Sequence, residues 1–349
     1  MHRALPVVIL LLATCSNNAS PDAGSREAGS GTSDPGDTTQ LAQYVVGAFA
    51  DSKGGLWFGT IENGVAHVKD GKISFIDSTY GLPPNGGHGI AESRDGLIWI
   101  AGHDGVYLHD PEHPGPVQVL HTTGATVRND RSGNVWVSTM GRVYRYRDAS
   151  AGEEFPVPVP AELPTVYSIS QRKLVFQMED SRGNLWFSTD GHGAFRYDGT
   201  EWAHFTKADG LCSNTPWAIE EDAQGRIWFA CIQAFQPHQT GDGGLCRYDG
   251  TSFTTFPDVD GLHHNDLYTL YKDREGNLYS SAVGTGMYRI RGDEFTLFNA
   301  TDRPDLNGGF GLQAMVQDRK GTLWCGYSGG LFRFDGRGFV NVPRGGPWE

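Results

Sequence analysis

Long helix-forming stretches are missing from this sequence. Runs rich in Ala, Leu, Glu and Lys are almost absent, and only 5 of the 349 residues are Met. Almost no helix is therefore expected in the folded part. Basic residues are also scarce, with 28 Lys and Arg against 41 Asp and Glu for a net charge of −13. Such a balance disfavours nucleic acid and anionic membrane surfaces as partners, because nucleic-acid binding depends on basic side chains displacing counterions. No apolar run approaches the ~20 residues that a permanent transmembrane helix needs. What the chain has in quantity is 48 Gly, 18 Pro and 11% aromatics, the composition of many short strands joined by tight turns.

The N-terminus opens Met1-His2-Arg3, runs through an apolar stretch from Ala4 to Ala13, and changes abruptly to Ser16-Asn17-Asn18. This pattern is that of a secretory signal, expected over residues 1–14. Leu12-Ala13-Thr14-Cys15 resembles a bacterial lipobox, with Thr14 where Gly, Ala or Ser is usual, so Cys15 is the expected lipidation site. The alternative is an ordinary signal peptide. Residues 15–40 hold hardly an apolar side chain and are expected to form a flexible tether, since they bury too little to offset the entropy of ordering. Export would permit disulfides among Cys212, Cys231, Cys246 and Cys325.

The remainder repeats. Asp51-SKGGL-Trp57, Ser93-RDGLI-Trp99, Asp130-RSGNV-Trp136, Asp180-SRGNL-Trp186, Asp222-AQGRI-Trp228, Asp273-REGNL-Tyr279 and Asp318-RKGTL-Trp324 share one frame, with aromatic positions 37 to 51 residues apart. That interval is one four-stranded propeller blade. An apolar strand precedes each Asp, the Asp-x-x-Gly segment makes a tight turn, the Trp strand follows, and two further strands close the unit. The fourth strand alternates, as in Phe253-Thr-Thr-Phe256, which suits a half-buried position. The fold class expected is all-β: a seven-bladed β-propeller of four-stranded antiparallel blades over residues 41–345. Neighbouring blades would pack face to face with the aromatics between them.

The set Asp-x-x-Gly-x-Leu-Trp, Gly-Leu-x-Arg-Tyr-Asp-Gly, Phe-x-x-Phe and Gly-Leu-x-x-Asn resembles the two-component regulator propeller repeat of bacterial periplasmic sensors, over roughly Gln40 to Pro343. Sensors of that family place propellers ahead of a transmembrane helix and a cytoplasmic kinase or cyclase. This sequence stops at Glu349 after the last blade, so the expectation is signalling through a separate partner.

No nucleophile or metal motif stands out, and neither catalytic residues, cofactor nor metal is expected. Gly326-Tyr-Ser328-Gly-Gly330 matches a serine-hydrolase elbow in letters, but it falls in a hairpin of the last blade rather than at a strand-to-helix turn. His263-His264-Asn265 lies in an interblade connection without a third ligand nearby, and Asp258-Val-Asp260-Gly261 lacks the Glu of a calcium loop. His88, Trp217, Tyr268 and Gln313 share a register near the start of the innermost strands, at the expected mouth of the central channel. Such a ring suits a polar ligand with an apolar face, or it simply fills the inner wall. An insertion in the fifth blade, Ile232 to Gly244, carries Phe235 and His238, both expected to project from the blade edge. Cys231 and Cys246 flank it; they are candidates for a disulfide, or are buried free thiols.

The functional expectation is a non-catalytic, ligand- or partner-binding sensory module, lipid-anchored in the cell envelope or secreted. It would recognise a glycan, a small polar ligand or an envelope protein, and touch the membrane only through its N-terminal lipid. The rival readings are a metal-dependent enzyme of the streptogramin-lyase or lactonase kind, with His88 and Glu92 as scattered ligand candidates, and an envelope assembly scaffold.

Overall fold

In the computed structural model of the protein, the described residues are 40–348, apart from 85, 114, 151, 304, 305 and 307–310. The expected signal segment, Cys15 and nearly all of the expected tether lie outside the described residues. Among the described residues no helix is long and apolar enough to cross a membrane. The helical elements fully within the described residues are two short 3-10 turns, Ser78–Tyr80 and Lys207–Asp209.

The chain forms seven four-stranded antiparallel sheets, each built from four consecutive strands. Blades 1 to 7 begin with the strands Val45–Ala50, Gly89–Glu92, Thr126–Asn129, Leu174–Glu179, Pro216–Glu221, Leu270–Lys272 and Leu312–Gln317. These first strands meet one another around the ring and form the wall of a central channel. Blade 7 returns to blade 1, its first strand packing against Val45–Ala50. No strand is shared across this junction; single bridges join Gln40 to Pro343 and Tyr44 to Ser328, and Leu41, Val45, Phe58, Trp324 and Val342 bury a common cluster. The Ser328 hairpin is thus a seam of the ring and not an elbow.

The repeat frame has a physical meaning beyond turn formation. In blade 4, Asp180 Oδ1 accepts the backbone N–H of Asn184 at 2.9 Å, and Oδ2 accepts the Trp186 indole N–H at 2.9 Å. One carboxylate therefore fixes the turn and aims the buried indole. The same indole bond recurs from Trp57, Trp136, Trp228 and Trp324, and Tyr279 supplies it through its hydroxyl at 3.0 Å from Asp273. Blade 2 is the exception. Ser93 replaces the Asp, and among the described residues the buried Trp99 indole N–H has no partner. Each of these tryptophans is at most 1% exposed, and burying one such side chain contributes roughly 2–3 kcal/mol.

Polar staples link the blades at this same end. The side chain just before the repeat Asp accepts a backbone N–H from the turn of the preceding blade: Glu92 from Ser52 at 2.6 Å, Glu179 from Arg131 at 3.0 Å, Glu221 from Ser181 at 2.9 Å and Gln317 from Arg274 at 3.0 Å. Arginines from the turns reach forward to the next turn's carbonyls, Arg94 to Ser132 and Arg182 to Gly225, and Arg319 to Ser52 closes the ring. Between blades 1 and 2 the backbones approach so closely that a Cβ on Gly59 would overlap the Gly87 carbonyl.

Candidate functional site

Because the Asp-x-x-Gly turns occupy one end of the ring, the interblade connections and the hairpins between second and third strands share the other. The candidate ligand residues all lie at this second end. In blade 5 the ladder jumps between Pro216 and Ala218, leaving Trp217 as the extra residue of a bulge, and in blade 7 Gln313 holds the equivalent place between Leu312 and Ala314. Bulges re-aim side chains next to sites. Tyr268 stands just ahead of the first strand of blade 6, and its ring meets Trp217 edge-on at 5.6 Å. His88 lies across the mouth beside His103, and burial holds its pKa below the usual histidine value. Trp217 and Tyr268 thus come together, while His88 and Gln313 occupy other sectors of the ring.

The sequence reading missed Lys173, which completes this mouth. Its Nζ sits 2.9 Å from the centroid of the Trp217 ring, a cation–π contact from the neighbouring blade. Desolvation lowers its pKa to about 7, opposed by Asp190 and assisted by Arg128. Gln177 steadies the tryptophan from below, donating to the Trp217 carbonyl at 3.1 Å and to Ser188 Oγ at 2.7 Å. Deeper in the channel, Arg128 faces Glu220, whose pKa burial raises against the pull of Lys272 and Arg128. Lys272 lies 3.6 Å from Glu220. An acidic protein therefore gathers three cations along one side of its channel.

Beside the mouth, a cavity of about 260 Å³ opens between blades 4 and 5, lined by Thr165, His192, Lys207, Asn214, Ala234 and Asp242 among others. Lys207 and Asp242 pair across it at 2.7 Å. Its walls are held by Asp190, a buried carboxylate that accepts the backbone N–H groups of Ser168, Ile169 and Ser170 at 2.6, 2.6 and 2.9 Å. The insertion of blade 5 forms the far wall. It does not simply project: Phe235 N and Gln236 N donate to the Tyr167 carbonyl at 3.0 and 2.8 Å, so the loop doubles back onto the connection between blades 3 and 4. Phe235 is half-buried as a result, while His238 is exposed.

The expected disulfide needs correction. Cys246 bonds to Cys212, with Cα atoms 5.8 Å apart, and Cys231 is a buried free thiol. The strand register explains this: Phe229 lies opposite Cys246 and Cys231 opposite Gly244, so Cys231 is offset diagonally, while the connection before blade 5 lays Cys212 directly over Cys246. Cys325 is likewise buried and free. His88 and Glu92, the scattered ligand candidates of the rival enzyme reading, stay apart: His88 precedes the strand Gly89–Glu92 and Glu92 ends it, engaged by Ser52 through both N–H and hydroxyl. The rings of His263 and His264 touch at 3.7 Å on a different connection.

A family model described as the two component regulator propeller matches residues 210–233, the end of one connection and the first two strands of blade 5. The chain therefore carries that repeat. No curated protein matches the sequence. Among solved structures, the extracellular domain of a chain named as a hybrid two-component system from B. thetaiotaomicron aligns with a TM-score of 0.60 at 20% identity, covering 83% of this chain and 39% of its own. This chain thus spans well under half of that relative's length. Virginiamycin B lyase from Staphylococcus aureus aligns at 0.58 and 14% identity, over 83% of this chain and 93% of the lyase. The GH74 xyloglucanase from Xanthomonas campestris aligns at 0.65 and 11%, over 88% and 55%. At these identities the likeness is one of fold.

Proposed function

We propose that this propeller, a carrier of the two-component regulator repeat, is a non-catalytic sensory module of the cell envelope that binds a polar ligand at its channel mouth. The observation that carries the reading is the meeting of Trp217, Tyr268 and Lys173 at a bulged strand end. Trp217 and Tyr268 supply a rigid apolar platform, and Lys173 and Gln177 fix it from the side and below. A saccharide, with one apolar face and a polar rim, suits such a platform. The likeness to a sensor's extracellular domain supports the placement outside the cytoplasm, and Cys15 is the proposed anchor. An envelope protein is the proposed partner, meeting the end of the ring that carries the insertion.

The lyase reading has less support, because the residues offered for its metal are separated by the length of a strand. The test is a thermal shift of the protein against neutral oligosaccharides and small polar metabolites. Ligand at a hundred times its dissociation constant raises stability by about 2.7 kcal/mol. Trp217→Ala is expected to weaken binding at least tenfold, about 1.4 kcal/mol, with the unliganded melting temperature little changed. A ligand-induced shift that survives Trp217→Ala sinks the channel mouth as the site.

A further inference from the structure

The Sγ atoms of Cys212, Cys231 and Cys246 all lie within 4.8 Å of one another, although only Cys212 and Cys246 are bonded. They arrive from three different segments: the connection into blade 5, its second strand and its third strand. Their surroundings are apolar, with Leu211, Ile219, Phe229 and Phe205 in the same cluster. Among the described residues no carboxylate or imidazole joins the group.

We infer that, once the Cys212–Cys246 bond is reduced, the three cysteines form an all-sulfur site for a soft monovalent cation, Cu(I). The geometry is close to what is needed: metal–sulfur bonds of ~2.3 Å around a trigonal ion place the sulfurs about 4 Å apart. Soft thiolates select such an ion, whereas zinc asks for a fourth ligand that these surroundings do not offer. Cys231 and Cys246 are fully buried, and Cys212 is half-buried, which gives the ion its way in. Ser213, Asn214 and Thr215, next along the chain from Cys212, line the cavity between blades 4 and 5, so occupancy of the sulfur site sets the position of a cavity wall.

The chemistry balances without a hidden partner. A phosphine takes oxygen from water to become its oxide, the disulfide gains two electrons and two protons, and two thiols result beside that of Cys231. Capture of Cu(I) then releases thiol protons to solvent.

The test uses the full chain, reduced anaerobically with a phosphine and titrated with Cu(I) against a coloured Cu(I) chelator. The reduced protein is expected to retain one equivalent and to show thiolate-to-copper charge-transfer absorption, and the disulfide form to retain none. Cys231→Ser leaves the Cys212–Cys246 bond intact, so the oxidised variant serves as a folding control; after reduction it should hold copper at least a hundredfold more weakly. Cys325→Ser and Cys15→Ser should bind as the parent does. Equal retention by reduced Cys231→Ser, retention by the disulfide form, or none by the reduced parent overturns the assignment.

Discussion

The two ends of the ring are built on opposite rules. At one end six of the seven blades repeat the same turn, a carboxylate bonded to an aromatic ring, and most add a polar staple to the neighbour. At the other end the loops diverge: the hairpin of blade 5 carries the doubled-back insertion, the connection between blades 3 and 4 the Asp190-held segment, and the connection between blades 5 and 6 the histidine pair. Regularity at the turn end supplies rigidity, and the irregular end is where side chains of different character converge. Binding residues gather on loops held by a rigid scaffold for this reason.

The contrast can be broken from either side. The largest effect is expected from Asp180→Ala, which strips acceptors from Arg182 N, Asn184 N, the Asn184 side chain and the Trp186 indole. A loss of about 3 kcal/mol should appear in chemical denaturation, with ligand affinity unchanged at saturating folded fraction. If the mouth instead loses its ligand while the fold stays, the division of labour is wrong.

Lys173 gives an intermediate effect with a pH signature. Its folded pKa is lowered from 10.5 to about 7, so the unfolded chain binds a proton that the native state refuses between those values. Stability therefore falls as pH drops from about 10 to about 7 and the penalty is constant below. Lys173→Met removes the penalty, and its advantage over the parent should grow across that window, read as the difference in denaturation midpoints. A 13C-dimethyl-lysine resonance titrating near 7 and lost in Lys173→Arg would locate the group. A midpoint difference independent of pH would remove Lys173 from the account.

The smallest change repairs the one blade that breaks the rule. Ser93→Asp offers the buried Trp99 indole the acceptor it lacks and should stabilise the protein by about 1 kcal/mol. A neutral or negative result would mean that Asp95, which already holds Ser93 Oγ at 2.5 Å, has taken over the turn.

Seven copies of one frame made the architecture readable from the amino acids alone, because strand alternation and turn chemistry are local. The aromatic pair at the mouth was also within reach, since Trp217 and Tyr268 share a register. Lys173 was not. It precedes its strand outside the repeat frame, and only the ring brings it over a tryptophan of the next blade. The disulfide misled for a related reason: sequence spacing pairs the ends of an insertion, whereas the partner of Cys246 comes from the connection 34 residues earlier. The staples were visible as the acidic or amide residue before several repeat Asp residues, but their partners lie one blade away.

Every sheet is made of consecutive strands, and Gln40 bridges to Pro343, so the two ends of the propeller meet at an interblade seam like any other. The ring consequently has no privileged first blade. Joining those ends and opening the chain in the connection between blades 3 and 4 would leave all seven sheets and every staple intact, making the protein a natural subject for circular permutation.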